Sequence, residues 1–175
     1  MELFAAIMER RSVRKFLADR PVSREALERI VLAGVEAPSG CNMQLRQFVI
    51  VDDPGLLAKL APMNRAMNGA PACIAILAEP KATPYGEYWR QDASASMQNM
   101  LLAATALGLG SCWIEGGFDR NENTIRELLA VPPTFRVCCM MSVGYAAEPG
   151  QRPVKSLPRD VTHYNQFGKT AATSH

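Results

Sequence analysis

Arg10-Arg11-Ser12-Val13-Arg14 sets three guanidinium groups and a hydroxyl within five residues, close to the start of the chain. Arginine, with its planar fork and permanent charge, is the side chain best shaped to grip phosphate. Taken alone, a basic run of this kind is most simply a solvated face. The surrounding elements decide between the two readings, by building a site around these arginines or leaving them at the surface.

Upstream, Phe4, Ile7 and Met8 have helical spacing, which predicts a short helix over residues 2–9 leading into the arginines. Downstream, Pro21-Val22-Ser23 announces a second helix with Ser23 as N-cap and Leu27, Ile30, Val31 and Val35 as its buried stripe. Ala37-Pro38-Ser39-Gly40 cannot continue that helix, because a residue before proline is pushed out of the helical region. Phe48–Val51 and Ala72–Leu77 are apolar runs rich in β-branched residues and read as buried strands. Between them, Asp53-Pro54 starts a helix over Leu56, Leu57 and Leu60, and Pro62–Pro71 reads as a loop or broken helix.

A long helix from about Glu87 to Leu107 has small or apolar residues nearly all round, as expected of a central core helix or a subunit interface. Gly108-Leu109-Gly110 stops it, and a strand over Ser111–Ile114 ends at Glu115-Gly116-Gly117. Ile125, Leu128 and Leu129 mark another helix, and Phe135–Val143 a long strand closed by Gly144-Tyr145. From Glu148 onward Pro149, Pro153 and Pro158 break any helical period, which predicts an extended arm over 148–175 belonging to the same domain as residues 1–147. Imperfect alternation of helices and strands gives a layered α+β or α/β domain with helices on a central sheet.

Composition narrows the function classes. The 175 residues are 48% hydrophobic and 21% charged, ordinary for one globular domain, and the net charge of +2 gives no reason to expect nucleic acid or a membrane as partner. The five cysteines form no CxxC pair and no cluster with histidine, which argues against a metal site and a disulfide framework and predicts a soluble cytoplasmic protein. No GxSxG, HExxH, GxxxxGK[ST] or GxGxxG occurs, and His163 and His175 lie in the arm and tail. Cys41, beside Gly40 in a loop, is either a reactive thiol or a small structural residue. A chain without reactive side chains of its own borrows them from a cofactor.

Four pieces in order resemble the FMN-dependent nitroreductase family, in its small subclass. Arg10-Arg11-Ser12-Val13-Arg14-Lys15-Phe16 is similar to its opening phosphate and flavin motif. Ala37-Pro38-Ser39-Gly40-Cys41-Asn42-Met43-Gln44 is similar to its APSxxNxQ loop, although the proline and tryptophan that follow in the family are Leu45 and Arg46 here. Asp92, Gln98-Asn99 and Leu107–Trp113 resemble its central helix and following strand, and Gly144-Tyr145 its strand ending.

The resemblance implies a three-layer α+β fold, a central mixed sheet flanked by helices, and an intertwined homodimer with FMN at the subunit interface. It implies that Arg10, Arg11, Ser12 and Arg14 bind the phosphate, ribityl chain and pyrimidine edge. Pro38, Ser39, Gly40 and Asn42 would come from the other subunit. Ile114, Glu115, Gly116 and Gly117 would pass the ring near its reactive nitrogen. Lys155 or Arg159 would return to the phosphate, and Asn64, with Asn68 as its rival, would meet the ring edge. No catalytic side chain is implied: NADH or NADPH would reduce the flavin, and a nitroaromatic, quinone or similar small molecule would reoxidise it. Tyr85, Tyr88 and Trp89 either stack on that substrate or cover the core. The alternatives are other flavin chemistry on this fold (reductive dehalogenation, ene reduction), a flavin-binding or sensing protein without turnover, and a basic-patch interaction protein without cofactor.

Overall fold

A computed structural model describes residues 1–82, 88–115 and 118–170. Helix α1 (Leu3–Glu9) starts where the Glu2 carboxylate accepts from the Phe4 and Ala5 amides. Helix α2 (Arg24–Val35) is capped by the Ser23 hydroxyl on the Ala26 amide, as its sequence predicts. Strand β1 (Arg46–Val51) leads to α3 (Pro54–Leu60), with Asp53 as N-cap and proline at the first position. The stretch that reads as a broken helix resolves into two single 3₁₀ turns, Ala61–Met63 and Arg65–Met67. Then follow β2 (Ala72–Ala78), the long α4 (Trp89–Ala106), β3 (Gly110–Ile114), α5 (Phe118–Leu128), β4 (Arg136–Gly144) and a single helical turn, α6 (Pro158–Val161).

The strands form one sheet in the order β1-β2-β4-β3, and each ladder is antiparallel. The expected mixed sheet is thus antiparallel across its four strands, and the parallel pairing among the described residues is the single bridge Ser12–Ser111. The physical reason lies in the connections: the segments carrying α3 and α5 return the chain antiparallel between the neighbours β1–β2 and β3–β4, so neither is the crossover that a parallel pair needs.

Three layers result. Strand β2 is buried on both faces, sending Ala72, Ile74 and Ile76 one way and Cys73, Ala75 and Leu77 the other. On the first face Leu27 and Ile30 of α2 and Met97, Met100, Leu101 and Ala104 of α4 complete one core. On the second, Leu60, Ala66, Met67, Ile125 and Val131 complete another. Burying both faces of a sheet is what makes its strands continuous apolar runs rather than alternating ones.

Two details differ from expectation. Val35 points to solvent, and Gly34 takes the buried position, because a Cβ there would stand 2.8 Å from the Met100 sulfur and 3.1 Å from the Phe48 ring. The arm after Glu148 is exposed throughout 151–170, as an extended segment should be, but contains α6, which Pro158 begins at its first turn. Among the described residues, no helix is long and apolar enough to cross a membrane.

Candidate functional site

Helix α1 ends at Arg10, whose extended backbone (ψ 127°) sends the chain along the outer edge of β3. The Val13 amide donates to the Ser111 carbonyl (2.8 Å), the Leu17 amide to Tyr145 (2.9 Å), and the Ala147 amide to Lys15 (2.9 Å). Val13 and Phe16 turn inward and are buried with Ala70. The anchoring of two apolar residues leaves Arg10, Arg11 and Ser12 half-buried and Arg14 exposed. Arg20 lies over the Tyr145 ring, 3.4 Å from its centroid, and holds the far end of the same segment.

The arm then returns. Gly150 passes directly over Arg11, so closely that a Cβ would meet that residue's Cβ at 2.5 Å and the Ser12 carbonyl oxygen at 3.1 Å. Beyond it Gln151, Arg152, Pro153 and Lys155 close a cavity of about 430 Å³ whose other wall is Ile7, Met8, Arg10, Arg11, Ser12 and Arg14. Among the described residues, five cations line it and no carboxylate does. Arg11 donates to the Met8 and Arg10 carbonyls (2.8 and 2.7 Å), which fixes its fork at the mouth. Among the described residues, none of the five is held in an ion pair. So many uncompensated cations around one hollow give it the chemistry to hold a multiply charged anion. Below it, burial pushes the Cys112 thiol up, opposed by Arg14, a hydrogen bond with Ser12 and Arg10, which places this β3 residue at the floor of the motif.

Arg14 also borders a second hollow, shared with Lys15, Phe16, Arg65, Asn68, Ala147 and Glu148. Here the two rival asparagines separate. The Asn64 side chain accepts from the Ala66 amide (2.9 Å) and caps a 3₁₀ turn, whereas Asn68 lines the hollow. In the arm the two candidates also separate: Lys155 lines the cavity, whereas Arg159 faces Asp160 at 3.7 Å outside it.

The loop from Pro38 to Asn42 lies elsewhere, at the C-terminal end of α2, and lines neither hollow. Its backbone is unusual: Cys41, Asn42 and Gln44 all adopt left-handed conformations (φ 49°, 54° and 52°), which favour glycine. The Gly40 amide donates to the Asp92 carboxylate (2.9 Å), the Gln44 amide to the Ser39 hydroxyl (3.0 Å), and the Gln44 side chain to the Asn42 side-chain oxygen (3.0 Å). Tyr88 packs over Gly40, and Trp89 has the Arg90 guanidinium 4.9 Å from its ring centroid. Tyr85 lies outside the described residues.

Ile114 is buried at the end of β3, so only its backbone can face a ligand, and Glu115 emerges exposed. Gly116 and Gly117 lie outside the described residues. The sequence reading overlooked Arg152, Gln151 and Arg65. Arg152 sits three residues before Lys155 in an arm whose geometry no periodicity fixes, so its basic character was the one available signal.

Comparison with known proteins adds an independent line. The sequence model of the Nitroreductase family matches residues 7–66 and 63–145. A protein of Archaeoglobus fulgidus, provisionally named an NADH dehydrogenase/NAD(P)H nitroreductase, is 38% identical over 150 residues, covering 82% of this chain and 85% of its own. An FMN-dependent nitroreductase from Clostridium difficile superposes with a TM-score of 0.81 at 31% identity, covering 94% of this chain and 99% of its own. A provisionally named nitroreductase from Desulfovibrio desulfuricans, solved in complex with FMN, gives 0.82 at 32% identity over 94% and 97%.

Proposed function

The chain belongs to the Nitroreductase family, and from that premise we propose that it is a homodimeric, FMN-dependent NAD(P)H oxidoreductase acting on nitroaromatics, quinones or similar acceptors. The observation that carries this reading is the cavity of Arg10, Arg11, Ser12, Arg14, Arg152 and Lys155, which among the described residues is lined by cations and no carboxylate. The phosphate of FMN is a dianion, so the donor set fits the group. Hydrogen bonds to such a charge are each worth about 1.5–3 kcal/mol. When bound, the flavin supplies the redox chemistry, accepting hydride from nicotinamide and passing electrons to the acceptor.

The protein's residues bind and orient. Arg10, Arg11, Ser12, Arg152 and Lys155 would hold the phosphate end, and Arg14, which borders both hollows, would extend toward the ring edge with Asn68 rather than Asn64. The backbone of Ile114 and Glu115 and the following Gly116 and Gly117 would lie along the ring. Pro38, Ser39, Gly40 and Asn42 would come from a second copy. Leu3, Phe4, Ile7 and Met8 of α1 and Val154, Leu157, Val161, Tyr164 and Phe167 of the arm are exposed apolar side chains, a surface that a second copy would cover. Residues 148–175 would then be an arm of the 1–147 domain. Five unpaired cysteines favour the reducing cytoplasm.

The test is consumption of NADH or NADPH by the FMN-loaded protein in the presence of a panel of nitroaromatic and quinone acceptors. Acceptor-dependent turnover is the expected result. A protein that binds FMN but oxidises neither nicotinamide would be a flavin binder, and one that takes up no FMN would end the reading altogether.

A further inference from the structure

Arg46 opens β1 yet is only 7% exposed, among the few charged residues buried in the fold. Its Nη2 donates to the Ala37 carbonyl (2.8 Å), and its Nη1 to the Pro38 carbonyl (3.0 Å), the Ser96 hydroxyl (2.9 Å) and the Asp92 carbonyl (3.2 Å). Ser96 in turn donates to Gly34 (2.7 Å), and Asn99 to Ala33 (3.1 Å). One guanidinium therefore ties the start of the loop just past α2 to the first turns of α4, while Ser96 and Asn99 of α4 hold the Gly34 and Ala33 carbonyls at the end of α2 itself. From α4 the Asp92 carboxylate reaches back to the Gly40 amide (2.9 Å), closing the loop from its other side.

Stability alone does not explain this arrangement. Burial disfavours the Arg46 charge, and the attraction of Asp92 opposes that only through space, since no ion pair joins them. Burying a charge is not a general route to stability, since buried ion pairs replaced whole by well-packed apolar side chains are commonly as stable or more so. What an apolar side chain cannot do is fix two successive carbonyls at the entrance to a loop whose Cys41, Asn42 and Gln44 must stay left-handed.

We propose that Arg46, with Asp92, is a positioning residue: it holds Pro38–Asn42 in the one conformation that can serve the flavin of a second copy. It touches no ligand itself, and the inference rests on the cofactor reading above. Arg46 stands where the resembled family carries tryptophan, so this chain orders its loop by hydrogen bonds to a buried charge.

The experiment compares the parent with R46M, R46K and R10A/R14A, measuring FMN affinity by fluorescence titration and melting temperature without flavin. R46M leaves the Ala37 and Pro38 carbonyls without their donor and should melt below the parent, and at a temperature where both are folded it should bind FMN about tenfold more weakly. R46K keeps the charge but not the fork and should fall between them, whereas a residue serving fold stability alone would leave the affinity of the folded protein unchanged in both variants. R46M binding FMN as the parent does overturns the inference. If R46M fails to fold, R46K carries the test, and parent-like affinity in it is equally fatal. Loss of FMN by R10A/R14A with full retention by R46M sinks this inference and spares the cofactor reading. A parent that takes up no FMN sinks both.

Discussion

Replacing Arg10 and Arg14 together by alanine removes two of the five described cations around the proposed phosphate cavity. Each charge-assisted bond to a phosphate dianion contributes about 1.5–3 kcal/mol, so the pair accounts for roughly 3–6 kcal/mol of binding. Arg14 is exposed, and solvent screening puts its share at the low end. At about 1.4 kcal/mol per tenfold, FMN affinity should fall roughly a hundred- to a thousandfold. The fold should barely respond. Among the described residues neither is in an ion pair, and the one side-chain hydrogen bond of Arg14 is a long one, 3.4 Å to the Ser12 carbonyl. Removing surface charges that repel their neighbours typically changes stability by less than about 0.5 kcal/mol. The assay is quenching of FMN fluorescence on titration into flavin-free protein at low ionic strength, with circular dichroism melting as the control. A double variant that melts like the parent and binds FMN within about threefold of it would refute the assignment of the cavity to phosphate.

The other expectations concern packing and protonation. G150A would place a Cβ against Arg11 and Ser12, lifting the arm from the cavity; FMN affinity should drop and the arm should be cut faster in limited proteolysis, and unchanged values of both would contradict the close crossing. G34A should destabilise the protein by about 1–3 kcal/mol in urea unfolding, because Met100 and Phe48 leave no room for a methyl group; a shift under about 0.3 kcal/mol would be inconsistent with that contact. Glu122, bonded by both oxygens to Arg136 and by one to the Val137 amide, is held below its ordinary value of 4.5. A lowered carboxylate stabilises the fold at pH above its unfolded value and loses that contribution as pH falls from 4.5 through the folded value. E122Q should therefore flatten the acid limb of the stability profile, and an unchanged limb would exclude Glu122 as a contributor.

Much of the architecture is legible from local chemistry. Ser23 and Asp53 cap their helices because their side chains satisfy free amides one turn on, a property of three or four residues. Strand β2 is readable because burial on both faces leaves it uniformly apolar. What is not legible depends on contacts between segments far apart in sequence. Val35 fits a helical stripe as well as Gly34 does, and only Met100, on another helix, decides which is buried. Asn64 and Asn68 carry the same amide, and the 3₁₀ turn between them decides which is consumed as a cap and which faces a hollow. Arg46 precedes the apolar run Phe48–Val51 and nothing beside it in sequence marks it as buried, because its four acceptors come from residues 37, 38, 92 and 96. The arginine motif walls a hollow only because Val13 and Phe16 pin it to the sheet and Gly150 brings the arm back over it.

The most direct test of the central claim is the visible absorbance spectrum of the purified protein, recorded without oxygen before and after adding NADH or NADPH. The account predicts a yellow protein whose flavin bands bleach with a nicotinamide and return when a nitroaromatic or quinone is added. A colourless protein that takes up no added FMN, or a yellow one that neither nicotinamide bleaches, would contradict it.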